Sequence, residues 1–126
     1  MRHQRNRLLD INHGYSMTRH HLLRSMLTSL IKYGRITTTS KKAAAVKAYA
    51  DNFFSRLVGY ANQKDGTRNA IAYIKSVVYT EDEGKKALNE LTPKFVESNI
   101  ISGFTRSFKL GFRKGDTAEK VMITLA

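Results

Sequence analysis

Apolar residues recur along this chain first at helical and then at strand spacing, and the change of period divides it. From about Thr18 to Tyr33, Leu22, Leu23, Met26, Leu27, Leu30 and Ile31 form one helical stripe, with His21, Arg24, Thr28 and Lys32 on the other side. Gly34 then supplies a stop. Arg35-Ile36-Thr37-Thr38-Thr39 is short and β-branched and predicts a strand. Ser40 is placed to cap a helix over about Lys41–Asn62, whose apolar face is Val46, Ala50, Phe53, Phe54, Leu57 and Ala61. Asp65-Gly66 marks a turn. A third helix follows over about Thr67–Ser76, with Ile71, Tyr73 and Ile74 inward. A fourth covers about Glu81–Leu91, its three opening acids matched to the helix dipole and its end set by Pro93. Ser102–Phe112 and Glu119–Leu125 then alternate and predict an antiparallel hairpin about Lys114-Gly115-Asp116. Phe104, Phe108, Leu110 and Phe112 are its expected core face, interrupted by Arg106, with a base-stacking platform the rival reading of the three phenylalanines. The order helix, strand, three helices, two strands makes an α+β two-layer domain. Residues 1–16 show no period and read as an extended basic arm that orders on its partner; residues 17–126 read as the globular core of one domain.

Charge adds a partner to this plan. The 126 residues hold 22 Lys and Arg against 10 acids, a net charge of +12. Residues 1–41 carry eight of the cations and one acid, Asp10. Residues 42–100 are nearly balanced, and the C-terminal segment is again basic. A balanced middle suits packed helices, and basic ends suit a contact surface. Nucleic acid is the first candidate polyanion, because many weak phosphate contacts gain from counterion release. An anionic membrane surface and an acidic protein are its rivals. The Arg-rich, acid-poor start could also be a targeting peptide, but the apolar pattern of residues 22–31 runs into the next element without a break.

Catalytic chemistry finds little support. There is no cysteine, so no disulfide, thiolate metal site or cysteine nucleophile. The histidines at 3, 13, 20 and 21 lack metal-ligand spacing on a helix, and contact with phosphate or water is the simpler reading. The acids are accounted for by turns and a helix start. No Gly-x-Ser-x-Gly elbow is present. Lys109–Asp116 has two glycines among basic residues, but Gly115 leads into a strand rather than the helix a phosphate loop requires. It reads as a basic hairpin tip, with a small nucleotide-using enzyme the rival of a different class.

Several stretches together resemble a known family. They are Met1-Arg2-His3, Leu22-Leu23-Arg24, and Ser29 to Thr39, which matches Ser-Leu-Ile-x-x-Gly-Arg-Ile-x-Thr-Thr. Further on come Leu91-Thr92-Pro93-Lys94-Phe95, Gly103-Phe104-Thr105-Arg106, Lys109-Leu110-Gly111 and Arg113 to Ala118. In this order they resemble the bacterial-type ribosomal protein seventeen of the large subunit. The departures are Ser102 where the family usually has Gly, Phe104 for Tyr, Thr18-Arg19 for His-Arg, Lys120 for an apolar residue and Thr124 for Glu. The resemblance makes Met1-Arg2-His3 look like a mature start.

The resemblance implies a non-enzymatic, cofactor-free structural constituent of the large ribosomal subunit. It would bind large-subunit ribosomal RNA near the polypeptide exit tunnel, beside other ribosomal proteins, in the bacterial cytoplasm or an organelle. The expected RNA contacts are Arg2, His3, Arg5 and Arg7 on the arm; Arg19 and Arg24 on the first helix; Arg35, Thr38, Lys41 and Lys42 at the strand and next helix; and Arg106, Lys109, Arg113 and Lys114 on the hairpin. Arginine suits the task because its planar fork bonds phosphate and stacks on bases. No metal, small-molecule substrate or membrane partner is expected. A free-standing basic nucleic-acid-binding protein is the alternative.

Overall fold

Helix α1 (Ser16–Tyr33) begins the part of the chain described by a computed structural model, which covers residues 16–126, with side chains from His20 onward. Strand β1 (Arg35–Thr39), α2 (Ser40–Ala61), α3 (Gly66–Val77), α4 (Glu81–Lys86), a π turn (Ala87–Leu91), α5 (Thr92–Glu97), β2 (Thr105–Phe112) and β3 (Glu119–Leu125) follow. Since α4, the π turn and α5 run on without a break, the order is helix, strand, three helical segments, two strands, and the class is α+β. No described helix is long and apolar enough to cross a membrane. The expected basic arm falls almost wholly outside the described residues, apart from Ser16, which opens α1.

Helix α2 is the spine. It packs on α1, α3 and α5 and on all three strands. Its buried Val46, Ala50, Phe53, Phe54 and Leu57 meet Leu23, Leu27, Leu30 and Ile31 of α1 in one core. Phe54 and Phe104 lie edge-on to Phe95, each with ring centroids 5.1 Å from it, an arrangement aromatic quadrupoles favour. The three-stranded sheet has the order β1-β3-β2 and is antiparallel throughout. Its central strand sends Val121 and Ile123 into the core.

Several expectations need correction. Pro93 does not end the fourth helix. The Thr92 N–H reaches back five residues to the Ala87 carbonyl, which also accepts the Thr92 hydroxyl at 2.8 Å. This widened turn lets Pro93 enter near the start of α5, where its missing N–H is tolerated. The stop comes at Asn99, at φ 54: its N–H bonds the Val96 carbonyl and the Ile100 N–H bonds that of Phe95, closing the helix as a Schellman motif. Ser40 is the first residue of α2 rather than its cap, and the residue at the cap position, Thr39, makes no side-chain capping bond. Thr28, expected on a polar face, is buried; its hydroxyl donates to the Arg24 carbonyl at 2.8 Å and accepts the Tyr79 N–H. Ala61 and Ile71, expected inward, are exposed.

The largest correction concerns β2. Phe104 is fully buried, but Phe108, Leu110 and Phe112 are 48%, 48% and 70% exposed. A helix is about 10 Å across, and strands lie about 4.8 Å apart. One helix alone cannot cover three strands: α1 joins α2 over β1 and β3, β2 is left to α2, and Phe108, paired with Met122, lies on the face opposite both. Only the first residue of β2, Thr105, is buried, its hydroxyl donating to Asp51 at 3.0 Å. The residues of β2 beyond Thr105 are exposed or half-buried, Ser107 and Lys109 beside α2 and Arg106 and Phe108 on the other face.

Candidate nucleic-acid interface

The register sorts the sheet into two faces. Paired residues in an antiparallel ladder project to the same side, and the side alternates along each strand. The face turned away from α2 therefore consists of three cross-strand rows. Arg106, Thr124 and Arg35 form the first; Phe108, Met122 and Thr37 the second; Gly111, Lys120 and Thr39 the third. Arg35, Thr37, Arg106 and Phe108 are exposed, and Thr39, Lys120, Met122 and Thr124 half-buried. Arg35 and Arg106 are each one strand from Thr124 and so about 10 Å apart across the sheet. None of Arg35, Arg106 and Lys120 takes part in the ion pairs found among the described residues, Lys85–Glu81, Lys109–Glu119 and Arg113–Asp116.

A bulge between Lys109 and Gly111 shapes the end of this face. Leu110 is the extra residue, and Gly111 sits at φ 107, a conformation that side-chain-bearing residues resist. The bulge resets the alternation, so Phe112 pairs with Glu119 on the same side as Val121.

The other expected contacts are dispersed. Thr38 pairs with Val121 and faces α2, so Thr37 rather than Thr38 belongs to the outer face. Exposed Lys41 and half-buried Lys42 open α2. Lys109 lies on the α2 side, pairs with Glu119 at 3.7 Å and lines a shallow groove with Ser40, Lys47, Asp51 and Ser107. Arg113 and exposed Lys114 occupy the hairpin tip. The Arg113 fork is held by both carboxylate oxygens of Asp116, Nε to Oδ1 at 2.8 Å, and the Ala118 N–H also reaches Oδ1. These bonds hold the Asp116 carboxyl at about 2, below its ordinary 3.8. The turn joins two strands and opens no helix, so the geometry of a phosphate loop is not formed there.

Arg24 stands apart. Its Nε donates to the Val77 carbonyl at 2.9 Å and its guanidinium lies 4.3 Å from the Tyr79 ring centroid, which also ties α1 to the chain after α3. Arg2, His3, Arg5 and Arg7 lie outside the described residues, and of Arg19 only the backbone, within α1, is described. Thr37, Phe108 and Lys120 are not among the contacts expected from sequence, where the alternation of β2 favours a core place for Phe108 over a stacking one. Their signal was Arg106 itself, a cation on the supposed core face of β2, which marks that face as the outer one.

Comparison with known proteins decides the family. The model of the ribosomal protein L17 family matches residues 22–126. The chain belongs to the ribosomal protein L17 family. It is 41% identical over 104 residues to the large ribosomal subunit protein bL17 of Thermodesulfovibrio yellowstonii, covering 81% of this chain and 71% of that one. It is 36% identical over 104 residues to bL17 of Moorella thermoacetica, covering 82% and 86%. Against bL17 of Treponema denticola the identity is again 36%, and the match spans 54% of that longer protein.

Among L17 proteins, this chain's departures fall in distinct places. Phe104 fits its surroundings, because a tyrosine hydroxyl there would need a partner inside the Phe54–Phe95 cluster. Ser102 is exposed. Lys120 and Thr124 share the outer face of β3, where Lys120 adds a positive charge.

Proposed function

We propose that this L17 chain is a structural constituent of the large ribosomal subunit in the bacterial cytoplasm, that it binds large-subunit ribosomal RNA, and that it catalyses no reaction. Residues 1–126 act as one RNA-binding unit, the arm of residues 1–16 and the core of 17–126 contributing together. The resemblance suggests a position near the polypeptide exit tunnel, beside other ribosomal proteins. The observation that carries RNA binding is the row Arg106–Thr124–Arg35, two exposed arginines held in register on an open sheet face of a chain with net charge +12. Each guanidinium can bond a phosphate with two parallel N–H groups, and Thr124 offers a hydroxyl between them. Lys41, Lys42 and Lys114 extend the basic surface at the end of β1 and at the hairpin tip, while Arg113 and Lys109 are available once phosphate competes with Asp116 and Glu119.

Gradient fractionation of a native extract tests this. The chain is expected to migrate stoichiometrically with the large subunit and to survive moderate salt, and Arg35→Ala/Arg106→Ala to lower its occupancy there. Migration with bulk nucleic acid instead would favour a free-standing binder and overturn the ribosomal assignment.

A further inference from the structure

We infer that the outer face of the sheet is a platform for unpaired nucleobases, with Phe108 as the stacking surface. The inference rests on RNA being the partner and specifies its form: nucleotides splayed out of a helix, not a continuous duplex.

Three observations carry it. First, Phe108 is 48% exposed in the middle row of the face, beside Met122 of the central strand. A phenyl ring left half in water offers surface on which a base can stack. Second, cations border it on both sides along the strands: Arg106 and Arg35 in the row before, Lys120 in the row after. Successive rows on one face lie about 6.7 Å apart, two residues along a strand. A base lying on Phe108 would therefore have basic groups within side-chain reach on either side for its flanking phosphates. Third, Thr37, Thr39 and Thr124 place hydroxyls in the same three rows, groups able to bond a ribose 2′-OH.

The pattern separates this occupant from a protein. The centre of a protein–protein interface is depleted in charge, whereas here an aromatic residue is set between rows of cations. Aromatic side chains interleaved with a basic track are how bases and backbone of a single strand are held together. A duplex would meet the same cations, but its stacked bases could not reach Phe108 on a sheet surface.

The test uses the full chain with a single-stranded RNA dodecamer carrying 2-aminopurine and with a blunt RNA duplex of the same length. Single strands are expected to bind more tightly than the duplex, with 2-aminopurine fluorescence quenched on binding. Phe108→Tyr should keep both properties. Phe108→Leu should abolish quenching and weaken single-strand binding about tenfold or more, as expected for one lost stacking partner, while leaving the salt dependence unchanged. Arg106→Gln should instead lower the salt slope by about one phosphate contact. Far-UV dichroism and thermal melting verify that each variant is folded. Equal affinity and quenching in Phe108→Leu, duplex binding as tight as single-strand binding, or binding of neither RNA would overturn the platform. So would a Phe108→Leu variant that binds RNA normally but fails to enter the large subunit, which would make the face a protein contact. Each variant is also scored for migration with the large subunit. A chain that enters the subunit without Phe108-dependent binding overturns only the platform. One that stacks bases but never enters the subunit overturns only the ribosomal assignment.

Discussion

Gly111 and Thr117 hold similar backbone positions with unequal ease. Gly111 takes φ 107 at the bulge, and a Cβ added there would touch nothing within 4 Å, so its requirement is conformational and not steric crowding. Gly111→Ala is expected to cost about 1–2 kcal/mol, read as a shift in the denaturant midpoint, and to disturb the register beyond Lys109. Thr117 takes φ 54 at the last position of the hairpin turn, unusual for a β-branched residue. Thr117→Gly should therefore stabilise the protein by up to about 1 kcal/mol, the left-handed strain relieved being partly offset by glycine's greater unfolded-state freedom. The turn is also pH-sensitive. Asp116 is lowered to about 2 in the folded chain, chiefly by its bonds from Arg113. Its contribution is fully present above its ordinary value of 3.8 and is lost as pH falls through about 2. Protection of the Thr117 and Ala118 amides relative to the unfolded chain should fall over that window, and Arg113→Gln should move the onset upward.

At the scale of elements, the end of α2 and the start of α3 approach closely at Gly66. A Cβ on Gly66 would lie 1.5 Å from the Tyr60 carbonyl oxygen, so Gly66→Ala must push the two helices apart. Overpacking of this kind costs about 1–3 kcal/mol and occasionally more, and backbone rather than a flexible side chain is what must move. A melting-temperature loss of several degrees is expected. The helical segment Glu81–Glu97 makes the opposite point. Pro93 is a helix breaker by its chemistry, yet the π turn before it absorbs the missing N–H, and Phe95, two residues later, is carried into the aromatic core. Propensity told of a disturbance at Pro93 but not whether the chain would stop or adjust. Burying Phe95 against Phe54 and Phe104 favours adjustment, since losing such a side chain costs about 3–5 kcal/mol.

For the whole molecule, the consequence is a division of labour between two layers. Helices hold the core, and the sheet, only part of which is covered, presents one face outward. The RNA binding proposed for this face would be electrostatic in its affinity, so it should weaken steeply with salt. Replacing both Arg35 and Arg106 should lower the slope of log affinity against log salt by about two phosphate contacts. Replacing Arg24 should leave that slope unchanged and instead lower stability, because its guanidinium is spent on Val77 and Tyr79. Filter binding across a salt series, paired with thermal melts, separates the two classes of arginine.

The sequence by itself determined the elements, because periodicity and turn chemistry are local: the stripe of α1, the Arg35–Thr39 strand, the core of α2 and the final hairpin were all legible. It also determined the family, since motifs such as Ser29–Thr39 are read in order without coordinates. Which face of the hairpin is buried could not be read, because alternation has two phases and hydrophobicity chose the wrong one for Phe108, while Phe112, on the core side after the bulge, is left exposed at the end of the strand. Only the packing of α1 and α2 on one face of the sheet, and the bulge that resets the alternation after Lys109, decided that. The same packing gave Arg35, Arg106 and Lys120 a common face and turned Arg24 to structural work. Sequence counts charges, but the face they share depends on the register of β1 against β3, partners such as Arg35 and Thr124 lying far apart in the chain, and that is settled by tertiary pairing.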